Sequence, residues 1–131
     1  MLKKTHVTVT VPVVDLKRAE SFYENKLGLD KKGVDPSGAV LLSTGETEIE
    51  LYKGSAPPRA DHTVMSFGVL NIENEIRDLE GKGVKFEDYN LPDFKTDANH
   101  IFRQNGDKAA WFKDSEGNVL CLHEHKSKNG K

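Results

Sequence analysis

Cysteine is nearly absent from this chain. The one copy, Cys121, excludes an internal disulfide framework and fits a reducing compartment. Long apolar runs are missing too. No stretch approaches the roughly 20 residues of a membrane span, and Met1-Leu2-Lys3-Lys4 leads into no signal-type segment. Charge of one sign is lacking: 19 Lys and Arg against 21 Asp and Glu leave a net charge of −2. Nothing in that balance asks for nucleic acid or an anionic membrane as partner. The basic residues are scattered among acids, as on a solvated surface. Neither GxGxxG nor GxxxxGK[ST] occurs. What remains is 131 residues, 36% hydrophobic and 31% charged, which is one domain's worth of chain with a modest core. A cytoplasmic protein is expected.

Two helical stripes stand out. In "DLKRAESFYENKLGLD", Leu16, Ala19, Phe22, Tyr23 and Leu27 recur at helical spacing, with Asp15 as N-cap and Gly28 as terminator. In "NIENEIRDLEGKGVKF", Ile72, Ile76 and Leu79 form the stripe and Asn71 is the cap. A strand precedes each: "HVTVTVPV" and "HTVMSFGV" both alternate. The caps are offset by 71 − 15 = 56 positions and the histidines by 62 − 6 = 56. The chain therefore reads as one strand–helix unit used twice. Further strands are expected in "GAVLLSTG", "TEIELYKG", "VKFEDYN", "KAAWFKD" and "NVLCLHEH", making each half βαβββ. "LPDFKTDANHIFRQNGD" reads as a long polar connection, of the kind that borders ligand sites.

Module one is expected over 1–54, a linker with Pro57-Pro58 over 55–61, module two over 62–126 and a solvated tail over 127–131. The helices must bury their stripes against the apolar strand faces, Val7/Val9/Val11, Ile49/Leu51, Met65/Phe67/Val69 and Leu120/Leu122. The opposite faces then carry His6, Thr8, Thr10, Glu48, Glu50, Tyr52, His62, Val64, Ser66, Val119, Cys121 and His123, a mixture suited to a ligand cleft. Trp111 and Phe112 are adjacent on one strand, so one of them is expected to face that cleft as an aromatic wall, and core packing explains both equally well.

"VPVVDLKRAESFYENKLGL", "FGVLNIENEIRDLEGKGVKF" and "AAWFKDSEGNVLCL" resemble the vicinal oxygen chelate superfamily, which includes glyoxalase I, bleomycin-resistance proteins and extradiol dioxygenases. The resemblance spans about residues 5 to 124 and is nearest to small bacterial proteins of the glyoxalase/bleomycin-resistance type. It implies an α+β fold: two βαβββ modules forming an eight-stranded, paired, open-barrel-like sheet with helices outside. It also implies a homodimer. The superfamily's metal positions fall here on Thr8, Glu50, Val64 and Cys121. Valine has no donor atom, threonine is a weak ligand, and one carboxylate does not hold Zn²⁺ or Fe²⁺. No cofactor is therefore favoured.

A displaced alternative would use His6, His62 and His123 with Glu50, each histidine being two residues, about 6.6 Å along a strand, from the implied position. It would hold Zn, Ni, Mn or Fe. The leading expectation is a small-molecule-binding protein, antibiotic-resistance-like, with Thr8, Thr10, Glu50, Tyr52, Val64, Ser66, Trp111, Cys121 and His123 lining the site. Two alternatives stand beside it. One is a metal-dependent lyase, isomerase or dioxygenase resembling glyoxalase I (lactoylglutathione lyase). The other is a metal-free enzyme with Glu50 as general base. Cys121 reads as a small apolar lining residue before it reads as a nucleophile.

Overall fold

The computed structural model describes residues 1–57 and 61–126. Part of the expected linker, including Pro58, and the expected tail lie outside them. Two compact units emerge. The first holds residues 1–57 with Asp114–Gly117, and the second holds 61–113 with 118–126. Each is α+β. Among the described residues no helix is long and apolar enough to cross a membrane.

In the first unit, β1 (Thr8–Val13), β2 (Asp30–Val34), β3 (Val40–Ser43) and β4 (Glu48–Lys53) form one sheet in the order β1-β4-β3-β2. β1 and β4 run parallel, as a crossover connection requires. Val11, Val13, Leu42, Ile49 and Leu51 are buried beneath helix α1 (Leu16–Ser21). Val7, expected on that face, lies before β1 and is 69% exposed. The Asp15 side chain accepts the Arg18 N–H, as an N-cap does.

The first stripe does not stay α-helical. Phe22–Lys26 widens into a π turn, with Leu27 N–H donating to the Phe22 carbonyl five residues back. Both adjacent rings, Phe22 and Tyr23, are buried. Gly28 then turns the chain with φ 76°. β2 was no candidate in the sequence because "DKKGV" has no apolar period; its residues are mostly exposed.

Asp114–Gly117 is a turn contributed to this unit from late in the chain. Glu116 lies at the start of α1, and its Oε1 accepts the Val14 and Asp15 N–H groups, both at 2.9 Å. Arg18 Nε donates to Oε2 at 2.7 Å, and Ser115 Oγ donates to the same oxygen at 2.8 Å. These donors hold the carboxyl far below the usual range, at about 2, with the Arg18 hydrogen bond the largest cause. Beside it the buried Tyr23 hydroxyl donates to Asp114 Oδ2 at 2.7 Å.

In the second unit, β5 (Thr63–Gly68), β8 (Phe102–Gln104), β9 (Asp107–Lys113) and β10 (Val119–Glu124) form a sheet in the order β5-β10-β9-β8. β6 (Asn90–Leu91) and β7 (Phe94–Lys95) make a separate small hairpin. Helix α2 (Ile72–Gly81) buries Ile72, Ile76 and Leu79, the expected stripe. Asn71 caps it from within, and Glu124 Oε1 accepts the Ile72 N–H.

"VKFEDYN" is not the expected strand. Phe86 pairs in an isolated bridge to Phe112, and the segment's last residue, Asn90, pairs with Lys95 in the small hairpin. The outer strand comes instead from Phe102–Gln104, inside the segment read as a polar connection. Asp97 stabilises that segment by accepting the Asn99 and Ile101 N–H groups and the Arg103 guanidinium. Local polarity hid a short strand whose partner, β9, supplies the hydrogen bonds.

Candidate functional site

Each sheet has a face away from its helix, and the two faces differ. In the first unit, ladder pairing sets Thr8 beside Glu48, Thr10 beside Glu50, and Pro12 beside Tyr52. Thr8 Oγ1 donates to Glu48 Oε1 at 3.3 Å, and His6 Nε2 lies 3.2 Å from the same oxygen. Glu50 is hydrogen-bonded to Asp35; partial desolvation first, and then Asp35, raise its pKa. Asp35 is lowered, chiefly by the Ser37 hydroxyl at 2.6 Å. The pair therefore keeps its shared proton on Glu50 more readily than on Asp35. Tyr52 is 40% exposed at the end of the row.

In the second unit the equivalent rungs carry different chemistry. β10 stands to β5 as β4 stands to β1, with 121 − 50 = 71 and 119 − 48 = 71. Ser66 and Trp111 flank Cys121 on either side, and Gly68 and Ala109 flank His123. Ser66 Oγ and His123 Nδ1 are 2.5 Å apart. Desolvation first, then His125, lower the His123 pKa, so its ring is neutral near pH 7. A Cβ on residue 68 would come within 3.1 Å of His123 Nε2, so glycine there leaves the ring its place. Cys121 is 6% exposed, and burial raises its thiol pKa. Its Sγ donates to the Leu122 carbonyl at 3.2 Å, which suits a lining residue better than a nucleophile.

A β-bulge changes one residue of this face. Val119 pairs with Thr63, but Leu120 pairs with Met65, so Val64 falls between rungs. Counting by 56 makes Val64 the duplicate of Thr8. In the ladder, the rung corresponding to Thr8–Glu48 is Thr63–Val119. Trp111 Nε1 donates to Thr63 Oγ1 at 3.0 Å.

Around Trp111 stand three more rings. Tyr89 and Phe94 meet it nearly perpendicular, with centroids 5.6 and 5.1 Å away, and Phe102 lies tilted at 6.3 Å. Phe94 also meets Tyr89 at 4.9 Å and Phe102 at 4.7 Å. All four are half-buried, whereas Phe112, on the helix side of the same strand, is wholly buried. Tyr89, Phe94 and Phe102 escaped the sequence reading because no period links them; three aromatics within a polar stretch were the available signal.

The glyoxalase/bleomycin resistance protein/dioxygenase family model matches residues 5–122. The chain belongs to this superfamily. Solved structures of like fold include TnmS3, an antibiotic binding protein from Streptomyces sp. CB03234, at 20% identity and TM-score 0.70, covering 96% of this chain and 99% of that one. The fosfomycin resistance protein FosX from Listeria monocytogenes matches at 16% identity and TM-score 0.71, with 98% of both chains covered. Lactoylglutathione lyase from Agrobacterium tumefaciens matches at 19% identity and TM-score 0.69, with 92% and 93% covered. No curated protein matches by sequence.

Members of the superfamily often use a divalent metal. The residues at the implied positions do not fit one. Val64 offers no donor, the Cys121 thiol is held protonated by burial, and Glu50 is engaged with Asp35. The histidines of the displaced alternative each have other surroundings. His6 is beside Glu48 in the first unit, whereas His123 is bound to Ser66 in the second, and His62 is exposed before β5. Among the described residues no group of three or more His, Cys, Asp or Glu is placed to hold an ion.

Proposed function

We propose that this protein binds a small organic molecule, as a member of the glyoxalase/bleomycin-resistance type, through the helix-free face of its second sheet. One observation carries the reading: four aromatic rings stay half-buried on a face that also presents Ser66, Cys121 and His123. Large apolar side chains left partly open beside hydrogen-bonding groups are the ordinary make-up of a ligand site. The antibiotic-binding relative of like fold lends support. Thr8, Thr10, Glu50, Tyr52 and Val64 remain proposed lining residues. On the same reading residues 1–126 form one domain of two modules, and the protein works as a homodimer in a bacterial cytoplasm.

The test is a thermal-shift screen of a small-molecule library, since a ligand that prefers the folded state raises the melting temperature by mass action. Hits whose effect disappears in Trp111→Ala support the proposal. Hits that are indifferent to that substitution overturn the assignment to this face.

A second reading rests on Glu50. Desolvation and Asp35 make it a stronger base than a free carboxylate, and it could take a proton from a bound substrate without metal. Glu50→Gln in a turnover assay on an identified hit separates the readings. Unchanged turnover removes base catalysis.

A further inference from the structure

The geometry points to Thr63 as the residue that orients Trp111 for parallel stacking against a flat conjugated ligand whose edge carries a carbonyl oxygen. This inference rests on the small-molecule reading above and names the ligand class and a positioning residue for that same face.

Three observations lead there. The bulge at Val64 brings the Thr63 hydroxyl onto the rung where strict alternation would set another side chain. Trp111 donates its only polar hydrogen to that hydroxyl at 3.0 Å, so the indole is fixed in rotation about its side-chain bonds. Finally, the rings touching the indole cross it at interplanar angles of 88°, 79° and 52°. None lies parallel to it, and the indole stays part-exposed. Among the described residues no ring takes the stacking position.

An indole is the most electron-rich of the protein rings, so an electron-poor planar partner suits it best. Polar groups supply the edge. Ser66 and His123 hold each other at 2.5 Å across the strand next to Cys121, whose paired neighbour is Trp111. In the tautomer where Ser66 donates to Nδ1, the imidazole keeps Nε2–H as a donor for a carbonyl oxygen.

Trp111 is the sole tryptophan, so emission reports on this ring without interference. The probe is lumiflavin, flat and carbonyl-bearing. Its comparison is adamantane-1-carboxamide, compact and not flat. Thr63→Val removes the hydroxyl at nearly constant shape, and Thr63→Ser restores it.

In Thr63→Val we expect a shifted Trp111 emission maximum, easier acrylamide quenching, and lumiflavin binding weaker by about two- to tenfold. Thr63→Ser should return all three toward the parent values, while the urea midpoint stays close to the parent in both variants. Emission and quenching unchanged in Thr63→Val would overturn the positioning role, whatever binds. Adamantane-1-carboxamide binding in place of lumiflavin would overturn the planar class and leave the small-molecule reading standing. Should neither probe nor any library member bind, that reading falls with the inference.

Discussion

The two units share a plan and differ in what they expose. Both place a parallel strand pair beside a helix, and both give the helix N-terminus a carboxylate from elsewhere in the chain. In the first unit this is Glu116, whose side chain is fully buried and accepts from two backbone amides, Arg18 and Ser115. In the second it is Glu124, 25% exposed, with the Ile72 amide and Lys108 at 3.8 Å. The open faces have diverged further. Acids and hydroxyls occupy the first, while aromatics with a Ser–His pair occupy the second. Duplication preserves what the core and the helix caps demand. Residues that answer to neither are free to change chemistry, and the proposed ligand site draws on them.

Removing each helix-capping carboxylate tests the shared part, and the largest effect is expected at Glu116. Glu116→Ala should cost about 3 kcal/mol in urea unfolding, since several charge-assisted hydrogen bonds disappear together. Glu124→Ala should cost about 1 kcal/mol, the value of one amide cap. Equal losses would break the contrast between them. Acid sharpens it. Glu116 titrates at about 2 when folded against 4.5 for the free group. Its depressed pKa adds stability that is fully present above pH 4.5 and is lost as pH falls toward 2. Glu116→Gln should flatten that part of the stability–pH curve.

The divergent faces are compared next. Trp111→Ala should weaken binding of any hit at this face by about tenfold or more, the value of a well-placed aromatic contact. Glu50→Gln should change it little if the second unit alone holds the ligand. The reverse ranking, read by titration calorimetry, would move the site to the first unit.

A smaller effect concerns the carboxyl pair. Asp35→Asn removes a like charge, so the Glu50 pKa should move down toward the ordinary carboxylate range in NMR titration. An unmoved value would mean that desolvation acts by itself.

The smallest concerns His100, whose Nδ1 is 2.7 Å from Asp88 and whose Nε2 is 3.3 Å from Glu80. The Asp88 hydrogen bond raises its pKa. A raised histidine stabilises below its unfolded pKa, and that stability is lost as pH rises through the folded value. The pair is partly exposed, so His100→Gln should remove only about 0.5 kcal/mol at pH 6 and less at pH 8.

Much of this was legible in the chain itself. Caps at Asp15 and Asn71, the stripe Ile72/Ile76/Leu79 and the alternation of β1 all follow from short-range rules, because helix and strand periods sort apolar from polar residues locally. The motifs that carry the family resemblance are of the same kind, as capping and turn residues must recur where the backbone turns. The proposed site was only partly legible. Ser66, Trp111, Cys121 and His123 were expected together, and they do share one face.

Tertiary structure decided the rest. One inserted residue in a ladder reverses which side chains face which way, and no local rule announces it; thus Thr63 stands on the rung reserved by counting for Val64. The outer strand at Phe102–Gln104 exists because β9 offers it hydrogen bonds, not because its own pattern asks for a strand. The pKa values of Glu116 and Glu50 depend on groups distant in sequence. Periodicity is a property of neighbours along the chain. Register, ring contacts and proton affinity depend on neighbours in space, and only folding chooses those.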